Sequence, residues 1–139
     1  MNQEDKELLL KDLCARLPYG VIVSVTDGTI KYEAYIESVS YKYIQVSPVS
    51  GSVFTPYTFY KISEIKPYLR PMDSMTEEEE EEYHKTMAWS GDILNEKIGI
   101  WVPTINSSDY LIAHHFDYRG LIPKGLAIAV TEENNPYKE

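Results

Sequence analysis

Residues 20–37, GVIVSVTDGTIKYEAYIE, decide the fold. The first seven are rich in β-branched side chains, which suit a pleated, half-buried surface. Asp27-Gly28 follows, a dipeptide that tolerates the positive φ of a two-residue hairpin turn. The returning segment alternates: Ile30, Tyr32, Ala34 and Ile36 point one way, and Lys31, Glu33, Tyr35 and Glu37 the other. Period-two alternation is the signature of a strand with one buried and one wet face.

Working outward, residues 41–47 (YKYIQVS) continue as a third strand after a short turn at Ser40, and residues 47–52 (SPVSGS) are turn chemistry. Residues 52–62 make a fourth strand, interrupted at Pro56, where a residue without an N–H implies an edge or a bulge. Upstream, residues 3–16 read as a helix with Asn2 as its cap and Glu4, Asp5 and Glu7 at the positive end of its dipole. Leu10, Leu13, Cys14 and Leu17 form its apolar stripe, which places Cys14 in the core. Pro18 and Gly20 end it. A short helix and four or five short strands within about 70 residues suggest a small antiparallel barrel of SH3-like or Sm-like type.

Downstream, residues 66–73 (KPYLRPMD) read as a connector, because each proline disfavours helix at the residue before it. In TEEEEEEYHKTMAW (76–89), Thr76 and Glu79 make a capping box, and the glutamates form a solvated helix start. They fan around the axis and so do not converge on one cation. Tyr83, Met87 and Trp89 supply the apolar side, and Ser90-Gly91-Asp92 breaks the helix. Residues 98–102 (IGIWV) read as a short buried strand. Residues 109–118 (DYLIAHHFDY) read as a third helix capped by Ser107 or Ser108, and residues 126–130 (LAIAV) as a last buried strand or helical turn.

The expected fold class is therefore α+β: an N-terminal helix, a small antiparallel SH3-like or Sm-like β-barrel, and a C-terminal helical segment packed on it. The expected divisions are 1–70 (helix and barrel), 71–130 (acidic helix and C-terminal α/β segment) and 131–139 (a frayed tail without apolar density).

Composition narrows the function classes. The net charge is −9, yet residues 1–70 balance 8 basic against 8 acidic side chains, and residues 71–139 carry the whole excess. An acidic half disfavours a general nucleic-acid binder, which draws its affinity from positive charge. Twelve tyrosines stand against three phenylalanines and two tryptophans. Tyrosine suits half-buried strand faces and interfaces. The single cysteine cannot pair within the chain, the charged N-terminus does not read as a signal peptide, and no apolar run reaches the roughly 20 residues of a membrane span. The expectation is a cytoplasmic protein with no membrane association. No Gly-x-Gly, Gly-Lys, Gly-x-Ser-x-Gly, His-Glu-x-x-His or paired-cysteine motif is present, so no cofactor is expected.

The densest polar constellation is His114, His115, Asp117, Tyr118 and Arg119 around Phe116. With Tyr32, Tyr35, Tyr41 and Tyr43 it makes the candidate binding surface. His84, His114 and Asp117 are the residues that would form a two-histidine, one-carboxylate metal site. The leading reading is a non-enzymatic module that binds an unidentified protein partner. The alternatives are a nucleic-acid-associated barrel with a basic or aromatic groove, and a metal-dependent enzyme using those three residues.

The segments KPYLRPMDSMTEEEEEEY (66–83), HHFDYRGLIPKGLAIAV (114–130) and LLLKDLCARLPYG (8–20) resemble a group of small uncharacterised proteins of gut anaerobes and their phages or prophages. The likeness spans most of the chain and departs in the β-region between Val21 and Ile65. It implies an intracellular or phage-encoded accessory protein, and carries over no established activity, cofactor or catalytic residue.

Overall fold

The computed structural model describes residues 1–50, 58–91 and 99–137. It is α+β: an N-terminal helix and further helices packed around one curled, mostly antiparallel sheet.

Helix α1 (Gln3–Arg16) begins where expected, with Asn2 Oδ1 accepting the N–H of Asp5 at 2.8 Å. It runs through a 3-10 turn (Leu17–Tyr19) into Gly20, whose φ of +70° is the left-handed geometry that glycine adopts without penalty. The buried face differs from the expected stripe. Leu9, Asp12, Leu13 and Arg16 are buried, whereas Cys14 is exposed and Leu10 and Leu17 only half-buried. Residues 9, 12, 13 and 16 share one helical face. The helix docks on a charged pair flanked by two leucines, and that turns Cys14 to the outside.

Strands β1 (Ile22–Asp27) and β2 (Ile30–Val39) form the hairpin, with Val23 opposite Ala34 and Val25 opposite Tyr32. The turn is one residue later than the sequence suggested. Asp27 pairs with Ile30, so Gly28 (φ +60°) and Thr29 form the loop. Tyr32, Ala34 and Ile36 face the core while Lys31, Glu33, Tyr35 and Glu37 face solvent, as the alternation required; Ile30, at the hairpin end, is exposed. Strand β3 (Ile44–Pro48) follows across a bulge at Glu37, and β4 (Phe59–Tyr60) lies beside β3. Pro56 and most of the expected fourth strand lie outside the described residues.

Residues 65–69 correct the connector reading. Ile65–Leu69 is β5, antiparallel to β1, with Val23 opposite Pro67. Its other edge is met at Tyr68 and Leu69 alone, by the parallel strand β8 (Ile128–Ala129). Among the described residues Pro67 therefore has a neighbour on one side only, the setting in which a sheet tolerates a missing N–H. The strand order is β4-β3-β2-β1-β5-β8. The end strands β4 and β8 are not hydrogen-bonded to each other among the described residues, so the sheet is an open half-barrel rather than the closed barrel expected.

The acidic helix α2 (Glu77–Lys85) carries the Thr76–Glu79 capping box. It ends at Thr86. Strands β6 (Ala88–Gly91) and β7 (Gly99–Val102) then pair antiparallel in a separate two-stranded sheet. Residues 99–102 of the buried strand expected at 98–102 thus belong to an exposed arm outside the main sheet, and Ile98 lies outside the described residues. Helix α3 (Ile105–Ala113) starts earlier than expected. Its cap is Thr104, not Ser107 or Ser108, and Ser107 is the buried partner whose hydroxyl accepts the Thr104 N–H at 2.9 Å. The helix stops before the His-Asp-Arg run. Within the tail expected at 131–139, Tyr137 is anchored: its hydroxyl donates to Tyr68 O at 2.8 Å and accepts the N–H of Ile22 at 3.0 Å. The core under the sheet holds Leu9, Leu13, Val23, Val25, Ala34, Ile44, Ile65, Leu69 and Leu121, all nearly solvent-free. Each such large aliphatic side chain contributes about 1.5–3 kcal/mol by its burial. Among the described residues no helix is long and apolar enough to cross a membrane.

Candidate functional site

The expected binding surface separates into a buried polar cluster and an exposed cleft. The cluster forms where residues 114–122 run past the end of β5. His115 adopts φ +65°, a left-handed turn uncommon for a residue with a Cβ. That turn lets its carbonyl accept the N–H of Arg70 at 2.7 Å, while Asp117 N–H donates to Arg70 O at 2.9 Å. Phe116 is thereby driven fully into the interior, beneath the Arg70 guanidinium at 4.2 Å.

Asp117 is buried and accepts two backbone N–H groups, Leu121 on Oδ1 at 2.8 Å and Ile122 on Oδ2 at 2.9 Å. From α1, Arg16 Nε donates to Asp12 Oδ2 at 2.7 Å and Arg16 Nη2 to Phe116 O at 2.6 Å. Arg119 Nε stands 3.3 Å from Asp12 Oδ1. The Tyr118 ring lies against both guanidiniums, 5.7 Å from Arg16 and 4.9 Å from Arg119. Asp12 and Arg16 are inaccessible to solvent, so this is a structural clasp between α1 and the C-terminal segment.

The histidines do other work. His115 stacks on Tyr137 with centroids 3.8 Å apart and rings nearly parallel. Burial, reinforced by the positive charge of Arg16, brings its pKa down to about 4, so it is neutral at physiological pH. His114 packs on Tyr110 at 4.2 Å, and His84 meets Trp101 edge-on at 4.7 Å. The metal reading fails on this geometry. Both Asp117 oxygens are already occupied by backbone, and among the described residues no three His, Cys, Asp or Glu side chains converge as ligands.

The tyrosines divide as well. Tyr32 is buried, its hydroxyl bonded to that of Tyr60 at 2.9 Å, and is lost to any surface. Tyr35 is exposed on the outer face of β2. Tyr41 and Tyr43 are exposed and line a cleft of about 510 Å³ with Lys6, Lys42, Lys61 and Ser63. That volume lies within the roughly 300–1,000 Å³ common for ligand sites.

A second surface escaped the sequence reading. Ile100, Trp101 and Ile105 are 66%, 48% and 81% exposed on the β6–β7 arm and the first turn of α3. Trp89 stands opposite Trp101, ring centroids 5.5 Å apart, and His84 joins this arm to α2. Beside it, Glu77, Glu80, Glu81, His84 and Lys85 line a shallow groove of about 530 Å³. At the inner side of α2, Arg70 forks onto both Glu79 oxygens at 2.7 Å, and this pairing draws the Glu79 pKa down to about 2. The Tyr110 hydroxyl donates to Glu82 at 3.0 Å, and its pKa is pushed up to about 12, chiefly by burial. The only signal for the arm was the apolar run at 98–102. A run that short reads alike whether it is a buried strand or an exposed one.

Compared with protein-family models, with curated proteins and with solved structures, the chain matches none.

Proposed function

We propose that the protein is a non-enzymatic interaction module whose docking element is the β6–β7 arm with the start of α3. The half-barrel would serve as an SH3-like or Sm-like scaffold, and the partner would present an aliphatic or aromatic anchor flanked by Lys or Arg. One observation carries this reading: Ile100, Trp101 and Ile105 lie in water on one short stretch of chain outside the main sheet. Grouped exposed apolar side chains of this size mark interaction sites more often than scattered ones do, and tryptophan is prominent among residues that dominate binding energy.

Charge complementarity supports the partner's chemistry. Glu77, Glu80 and Glu81 make no ion pair among the described residues and, with Lys85, line the groove whose His84 meets Trp101 of the arm. The accessory role in a phage or prophage implied by the resemblance is compatible with such a module.

The test is a peptide-display library panned on the purified protein. Enriched peptides should pair Lys or Arg with a large apolar residue. Trp101→Ala should weaken them by about 2 kcal/mol, roughly thirtyfold in Kd. Glu80→Lys with Glu81→Lys should weaken them in a salt-dependent way. Enriched peptides without basic residues, or binding indifferent to Trp101→Ala in a variant of unchanged circular dichroism, would refute the proposal.

A further inference from the structure

We propose that the cleft between α1, the 40–43 turn and the 61–63 turn binds single-stranded nucleic acid. Lys6, Lys42 and Lys61 would meet phosphates, and Tyr41 and Tyr43 would stack bases. The site is separate from the β6–β7 arm and does not depend on the protein-binding reading.

Three features support it. The first is uncompensated positive charge. None of the three lysines forms an ion pair among the described residues, although the chain as a whole is strongly acidic. Chain topology brings them together from far apart in sequence: Lys6 from the first turns of α1, Lys42 from the turn before β3, and Lys61 from the residue ahead of the 3-10 turn Ile62–Glu64. On the last of these elements Glu64 turns its carboxylate to the backbone, Oε1 accepting the Lys61 N–H at 2.9 Å, and makes no ion pair with the Lys61 ammonium among the described residues.

The second is aromatic exposure. Tyr41 is 78% and Tyr43 48% exposed, and both face the space the lysines line. Lys6 Nζ lies 5.8 Å from the centre of the Tyr41 ring, so cation and ring already form one unit. Exposed rings interleaved with cations are how sequence-tolerant single-strand sites are made, because every base offers a flat face and every nucleotide a phosphate. A duplex, with its base faces stacked inside, could use the lysines but not the rings.

The third is the charge distribution. The cleft belongs to residues 1–70, whose charges balance, and the excess negative charge lies in the remainder of the chain. The acidic half therefore repels a polyanion at long range while the cleft attracts it at contact. This predicts weak binding that is steep in salt.

The test is fluorescence anisotropy of labelled dT12 and rU12 at 20 mM and higher salt, with inorganic polyphosphate and thymidine monophosphate as competitors. Three phosphate contacts on a single strand give a slope of log K against log salt of about −2. Lys42→Gln should flatten that slope by about 0.7, and Lys42→Gln with Lys61→Gln by about twice as much. Tyr41→Ala with Tyr43→Ala should weaken dT12 at least tenfold and leave polyphosphate unchanged. Trp101→Ala should bind dT12 as the parent does, which separates this site from the arm. All substituted side chains here are exposed, and circular dichroism checks the fold. Three outcomes would each overturn the inference: no binding at 20 mM salt, binding unmoved by the lysine or tyrosine substitutions, and competition by the monophosphate as strong as by the strand.

Discussion

Replacing Asp12 by alanine removes the carboxylate that faces both Arg16 and Arg119. Arg16 is inaccessible to solvent and holds Asp12 at 2.7 Å; Arg119 approaches the other oxygen at 3.3 Å. After the substitution Arg16 keeps its bond to Phe116 O, but two guanidiniums face each other with no counter-charge between them. Breaking a buried pair by deleting one partner costs about 3–5 kcal/mol, because the surviving ion stays desolvated. For a chain of this length that is a fall in Tm of roughly 10–15 °C. The double variant Asp12→Leu with Arg16→Met should be far less damaging than the sum of its singles, since apolar replacement of a whole buried pair is often close to neutral. Urea unfolding of the parent, Asp12→Ala, Asp12→Leu, Arg16→Met and the double variant measures both quantities. A loss under about 1 kcal/mol for Asp12→Ala, or a double variant that loses the full sum, would refute the view that this pair clasps α1 to the rest of the molecule.

Asp117→Asn should cost about 2–3 kcal/mol by urea denaturation, because one amide nitrogen must then face the N–H of Leu121 or Ile122; a loss below about 0.5 kcal/mol would contradict the double-acceptor role. Acid should destabilise the protein in two stages. The unfolded chain protonates His115 near 6.5 but the native state only near 4, so the unfolded state binds the extra proton between these values, and stability falls as pH drops through that window. Glu79 is held near 2 against an ordinary 4.5, so the stability it contributes above 4.5 is lost as pH falls from there toward 2. His115→Asn should flatten the upper stage and Glu79→Gln the lower in thermal melts across pH; an upper stage unchanged in His115→Asn would remove His115 as its source.

The β1–β2 hairpin was legible because period-two alternation is hard to produce by any other structure, and the α1 and α2 caps because their side chains act within three residues. Where the reading failed, a long-range contact outweighed a local rule. The apolar stripe of α1 was misplaced because burial was equated with apolarity, while Asp12 and Arg16 are buried by partners about a hundred residues away. Strand β5 was missed because Pro67 looks like punctuation, and only the sheet's one-sided edge explains its tolerance. The helix through His114 and His115 ends early because His115 takes a left-handed turn without the glycine or asparagine that usually announces one. Of the candidate surface, Tyr41 and Tyr43 are exposed, whereas Tyr32 and Asp117 are withdrawn from it by Tyr60 and by backbone N–H groups. The lysines that complete the cleft come from three separate elements, a convergence that only the tertiary structure supplies.

The bond from Arg16 to Phe116 spans 100 residues, and that from Ile22 to Tyr137 spans 115. During synthesis the leading helix and first strand leave the ribosome long before either partner exists. A nascent chain stopped after residue 70 would carry a sheet with one edge bare and a guanidinium lacking its carbonyl. Acquisition of the native contacts of α1 and β1 therefore waits until residues 116 and 137 have been made.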